Sequence, residues 1–152
     1  MIQRSMSEGR TVHSWSLPKW TVPKWTVPSP KLIRLSIALV WLYQGLWCKV
    51  LGGVPRHEAV IETVPFIGSV AGHITLIALG LLECGIGLWV LYGRWIRQAA
   101  MVQTVLLVAM NTGGLIWARH VIPDPAGMVL QNFAFLLLIW VATEDRRHAV
   151  PA

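Results

Sequence analysis

Four long apolar blocks, each roughly 18–23 residues, dominate the chain between Leu32 and Thr143. At about 1.5 Å rise per residue, a block of that length covers the ~30 Å hydrocarbon core of a bilayer. A backbone in lipid must satisfy its own hydrogen bonds, so blocks this long are helices. Charge is scarce, 13% of 152 residues, and it gathers at the ends of the blocks. A soluble domain would carry about a quarter charged residues spread through its length. The expected fold is therefore all-α: an integral membrane four-helix bundle, antiparallel, with a short amphipathic segment between helices 1 and 2.

The spans run from about Leu32 to Leu51, Val70 to Tyr92, Ile96 to Trp117 and Ala126 to Ala142. Gly52-Gly53 and Pro55 end the first. The linker Val54–Ser69 sets Arg56, His57, Glu58 and Glu62 among Val60, Ile61 and Val64, a pattern for a short helix on the membrane surface closed by Pro65. Gly93-Arg94-Trp95 is a tight turn that makes spans 2 and 3 a hairpin. Residues 31–145 thus form the transmembrane domain. They lie between a tail, 1–30, and a short C-terminal segment, 146–152.

The tail is Ser- and Pro-rich, basic, and contains a tandem repeat, Lys19-Trp-Thr-Val-Pro23 and Lys24-Trp-Thr-Val-Pro28. A proline in every five residues prevents a continuous helix. Trp20 and Trp25 with Lys19 and Lys24 suit an anchor at headgroup depth; a duplicated pentamer in a disordered tail fits the same residues. No 7–15-residue apolar stretch or small-residue cleavage site marks the tail as a signal peptide.

The net charge of +6 does not point to nucleic acid, because its Lys and Arg flank the spans and suit anionic lipid. Counting those cations orients the chain. Arg4, Arg10, Lys19, Lys24, Lys31, Arg34, Arg94, Arg97, Arg146 and Arg147 fall on one side, while Lys49, Arg56 and Arg119 fall on the other. The expectation is a multi-pass protein of the cell (inner or plasma) membrane with both termini cytoplasmic.

Cys48 and Cys84 lie in different spans, with no CxxC pair and no Cys/His cluster at ligand spacing, so neither a metal site nor a disulfide is expected. Most of the nine tryptophans, Trp41 among them, read as interface markers. His57, His120 and His148 are isolated loop histidines.

Glu83 is the one ionisable residue near the middle of a span, where it costs roughly 2.5–3.5 kcal/mol on insertion scales. Gly80 and Gly87 share its helical face, and small residues at that spacing admit a neighbouring helix, so Glu83 is expected to face the interior. It could carry protons, hold a polar headgroup or orient a cofactor; a neutral carboxyl hydrogen-bonded to its neighbours fits equally well. Gln44, Lys49, Gln103, Asn111, Gln131, Asn132 and His73 are the other pocket candidates. Ala100, Thr104, Asn111, Gly114 and Ala118 form a small/polar seam along span 3, which packing alone explains. Counting residues from the membrane faces puts Gln44, Asn111, Gln131 and Asn132 in the outer half, with His73 and Lys49 at its edge. Lys49 and Glu83 then stand roughly 13 Å apart along the membrane normal, too far for an ion pair unless span 1 is shifted or broken. Gln44 and Gln103 lie nearest Glu83 in height. The expected picture is a polar funnel with Glu83 near its floor.

Ile37-Ala-Leu-Val-Trp-Leu-Tyr43-Gln44-Gly45-Leu-Trp47-Cys-Lys49-Val-Leu51 resembles the opening of the DoxX-like family, an aromatic-rich helix with a Gly-x-x-x-Lys ending. Ile77-Ala-Leu-Gly80-Leu-Leu-Glu83-Cys-Gly85-Ile-Gly87 is similar to that family's second helix, and Pro123-Asp-Pro125 followed by Gln131-Asn132 to its last. The resemblance covers about Leu32 to Thr143. Cys48 departs from the proline that many relatives carry before the lysine. The resemblance implies a four-helix membrane protein of a superfamily that includes the small subunit of thiosulfate:quinone oxidoreductase. An accessory or ligand-pocket subunit of a membrane redox system follows, with a quinone-like ligand near Glu83 and a soluble oxidoreductase or other membrane subunits as partners. The rival expectation is a small transporter or an assembly subunit, and either is compatible with an oligomer.

Overall fold

The computed structural model describes residues 28–65 and 67–144. The repeat residues Lys19, Trp20, Lys24 and Trp25, and the segment 146–152, lie outside them. All regular structure among the described residues is helical. Helix α1, Pro30–Leu42, starts where the sequence provides both a cap and a first-turn proline: the Ser29 hydroxyl accepts from the Leu32 amide, and Pro30 has no amide hydrogen to leave unpaired. It continues without a break into a π segment, Tyr43–Val50, whose last ring closes from the Leu51 amide to the Leu46 carbonyl. That i→i+5 spacing widens the turns, so each residue advances less than the about 1.5 Å of an α-helix. No proline is needed for this change at Cys48.

After Gly52, whose φ of +65° a side chain would resist, α2 runs over Arg56–Glu62. Helix α3 spans Gly68–Tyr92, α4 Ile96–Trp117 and α5 Pro125–Glu144. Asp124 accepts from the Gly127 amide and so caps α5. Among the described residues three stretches are long and apolar enough to cross a membrane: Ala71–Tyr92, Ile96–Trp117 and Pro125–Glu144.

Helix α3 packs chiefly on α1 and the π segment, α4 on α5, and α1 also on α5. The core lies where these meet, with Ile37, Ala38, Trp41, Val90, Ala99, Ala100 and Ile139 almost fully buried. Trp41 is 2% exposed and is a core residue, not an interface marker. The α4 seam carries α5: Trp140 Nε1 donates to Thr104 Oγ1 at 3.2 Å, and Asn132 Nδ2 donates to Asn111 Oδ1 at 2.9 Å.

Glycine sets the register of the α1–α3 pair. A Cβ on Gly45 would lie 2.5 Å from the Gly80 carbonyl oxygen, and one on Gly80 would lie 2.7 Å from the Gly45 carbonyl oxygen. Backbone meets backbone there, which only glycine permits. Further along, Gly87 faces the Ala38 carbonyl and Leu42. In this register the first turns of α3 extend past the π segment, and α2 packs against the overhang. His73 Nδ1 and Glu58 Oε1, both exposed, meet across that contact at 3.0 Å.

Candidate functional site

Lys49 and Glu83 form an ion pair inside the protein. Lys49 Nζ stands 2.7 Å from Glu83 Oε2 and 2.9 Å from Oε1, with side chains 4% and 1% exposed. This corrects the depth argument, which kept the two apart with Lys49 at the membrane edge. Counting residues from the membrane faces sets the helix ends level. The Gly45–Gly80 contact instead slides α3 along α1 until the Lys49 Cβ stands beside Gly80, one turn from Glu83. The compressed rise of the π segment shortens the gap further, and the long lysine side chain spans the rest. A neutral Glu83 without a cation at its level therefore loses its premise.

The pair lies in the wall of a cavity of about 510 Å³ between the helices. Gln44, Lys49, Glu83, Asn111, Gln131 and Asn132 all line it. Its apolar surface comes from Val40, Trp41, Leu76, Leu79, Leu107, Met110 and Phe135. The Trp41 and Phe135 rings lie 5.9 Å apart and tilted, as aromatic pairs prefer.

Two sequence candidates are placed elsewhere. Gln103, 1% exposed, does not reach Glu83: its Oε1 accepts from Trp41 Nε1 at 2.7 Å, and its Nε2 donates to the Ala99 carbonyl at 3.0 Å. It fixes one wall of the cavity without lining it. His73 is on the outer surface, occupied with Glu58. Nor does the Gln44 side chain bond Glu83; its backbone carbonyl accepts from Lys49 Nζ at 3.4 Å.

The amides along the cavity differ in what they have left to offer. Asn111 donates to the Leu107 carbonyl at 2.7 Å and accepts from Asn132. Among the described residues the side chains of Gln44 and Gln131 have no hydrogen-bond partner. Those two face the cavity with both donors and acceptors unspent.

Sequence reasoning missed the contribution of α2. Arg56, His57, Val60 and Ile61 line the cavity, so the short surface helix is part of its enclosure. Burial first, then the Lys49 charge, push the His57 imidazole below its ordinary pKa, and its Nδ1 is buried with no hydrogen-bond partner among the described residues. The alternation of Val60, Ile61 and Val64 with charge was the available signal; it marks an apolar face without saying what that face covers.

Among the described residues no cluster of three or more His, Cys, Asp or Glu could hold a metal ion. Cys48 and Cys84 are free thiols.

A family model for DoxX-like proteins matches residues 38–140. The chain belongs to the DoxX-like family. The matched stretch runs from within α1 into α5 and contains the Gly45–Gly80 contact, the ion pair and every residue lining the cavity. With three membrane-capable helices among its described residues, this DoxX-like protein is a membrane protein. No curated protein and no solved structure matches the chain.

Proposed function

We propose that this DoxX-like protein is an accessory, ligand-pocket subunit of a quinone-linked membrane redox system. The observation that carries the reading is the buried Lys49–Glu83 pair in the wall of a cavity of about 510 Å³. Two charges in a bilayer interior are expensive, and well-packed apolar residues would serve stability as well or better. Their presence there supports a role beyond packing. A lipid-soluble ring with carbonyl oxygens suits this lining: apolar walls from Trp41, Leu107 and Phe135, and unspent amide donors on Gln44 and Gln131. The volume is that of a small-molecule site. A quinone supplies two-electron redox chemistry when bound; the residues of this chain bind and orient it, exclude water, and keep a charged pair beside it.

Mass spectrometry of gently purified protein is expected to find a co-purifying quinone or a soluble dehydrogenase. Glu83→Gln and Lys49→Met should lose the quinone. A ligand-free protein that passes protons or solute in liposomes would instead favour the small-transporter reading.

We further propose that α1 and the π segment make a fourth span, completing an antiparallel four-helix bundle with both termini cytoplasmic. The contacts of Arg34 with Gly93 and of Gly45 with Gly80 support opposed directions for α1 and α3, and the one-sided Lys and Arg count supports the orientation. Single cysteines at Ser7, Arg56 and His148, placed in a chain lacking Cys48 and Cys84, test it in intact cells. An impermeant reagent is expected to label position 56 alone; labelling at 7 and 148 would reverse the orientation.

A further inference from the structure

Opposite the α2 side, the start of α1 meets the turn between α3 and α4, and the backbone of that turn is strained. Trp95 has φ +52°, a left-handed conformation that is a genuine outlier for a bulky residue. Strain of this kind persists only where its surroundings enforce it. Here Trp89 Nε1 donates to the Arg94 carbonyl at 2.9 Å and locks the turn. Trp95 is left 63% exposed, and the Arg94 guanidinium stands 5.1 Å from its ring centroid.

Gly93, with φ +71°, leaves room for a second cation: the Arg34 guanidinium of α1 lies where a side chain at position 93 would begin. Lys31 is one turn before Arg34, and Arg97 is in the first turn of α4. Among the described residues no carboxylate pairs with any of these four cations. Glu144, in the last turn of α5, is the one described acid at this end, and it is exposed and in no ion pair among the described residues. Leu32, Leu35 and Tyr92, chain neighbours of Lys31, Arg34 and Gly93, carry exposed apolar surface.

We propose that this end of the helical body binds an anionic phospholipid, its phosphate held by Arg34, Arg94 and Arg97 and its glycerol region packed on Trp95. Arginine suits phosphate because its planar donors engage two oxygens at once. An exposed tryptophan suits the interfacial depth at which that phosphate lies. A protein partner is the weaker fit, since apolar surface surrounding a cationic rim matches acyl chains below a headgroup. The site is independent of the cavity and of what the cavity holds.

Native mass spectrometry of the full chain in detergent, titrated with dioleoylphosphatidylglycerol or dioleoylphosphatidylcholine, tests this. Wild-type protein is expected to prefer the anionic lipid by about tenfold, and Arg34→Gln with Arg94→Gln to abolish that preference. Arg119→Gln, on a cation at the far end of α4, should leave it intact. Thermal melting of wild-type protein provides a readout that needs no variant: the anionic lipid should raise the midpoint and phosphatidylcholine should not. Equal retention of the two lipids, an unchanged preference in the double variant, or the same melting shift from inorganic phosphate alone would each overturn the proposal.

Discussion

Lys49→Met with Glu83 left in place is expected to destabilise the protein by about 3–5 kcal/mol, because it strands a buried carboxylate. Glu83→Leu should cost a similar amount by stranding the ammonium. Glu83→Gln, although it keeps the shape, cannot neutralise Lys49 and should be nearly as costly. This differs from the roughly 0.6 kcal/mol typical of a single hydrogen bond between membrane helices, and the difference lies in the charge. The pair is 2.7 Å apart with both side chains almost wholly enclosed. The double variant Lys49→Met with Glu83→Leu removes both charges and should recover most of the loss. Unfolding by SDS titration in mixed micelles measures all four proteins. Additive losses in the double variant would mean that the two charges do not depend on each other. A recovered fold without bound ligand would separate the pair's role in the pocket from its role in stability.

The second large effect is expected at the helix crossing. Gly45→Ala sets a Cβ 2.5 Å from the Gly80 carbonyl oxygen and 2.9 Å from Cys84 Sγ, and Gly80→Ala sets one 2.7 Å from the Gly45 carbonyl oxygen. Backbone cannot turn aside as the end of a flexible side chain can, so α1 and α3 must separate. A loss of about 1–3 kcal/mol is expected for each, in the range of overpacked cores. Separating the helices also draws the Lys49 stem away from Glu83, so ligand retention should fall together with stability. Gly85→Ala is the control on the same helix: nothing lies within 4 Å of its Cβ, and the better helix propensity of alanine makes it neutral or mildly stabilising. Equal melting temperatures for the Gly45 and Gly85 variants would rule out the close approach.

The helical character of this chain was legible in the sequence because it follows from local quantities. Apolar runs of bilayer length and the Gly93–Trp95 turn each depend on residues close together in the chain. The ends of α4 fall at Ile96 and Trp117, where the sequence places them. The inward face of Glu83 was legible too, since Gly80 and Gly87 share it through helical periodicity alone. What two helices do to each other is not local. Lys49 and Glu83 meet because α3 slides along α1 to the level where glycine lets the backbones touch, and because Tyr43–Val50 winds in wider turns. Neither the offset nor the winding has a signature in residue counts, which treat every span as an ideal rod with level ends. The same holds for Gln103: periodicity puts it near Glu83 in height, yet only the packed structure directs its amide to Trp41. The sequence by itself determined which segments are helices and that Glu83 faces inward, since hydrophobicity and period act residue by residue. The tertiary structure alone decided which polar groups meet across those faces, since that depends on sub-helical shifts that close packing between helices sets.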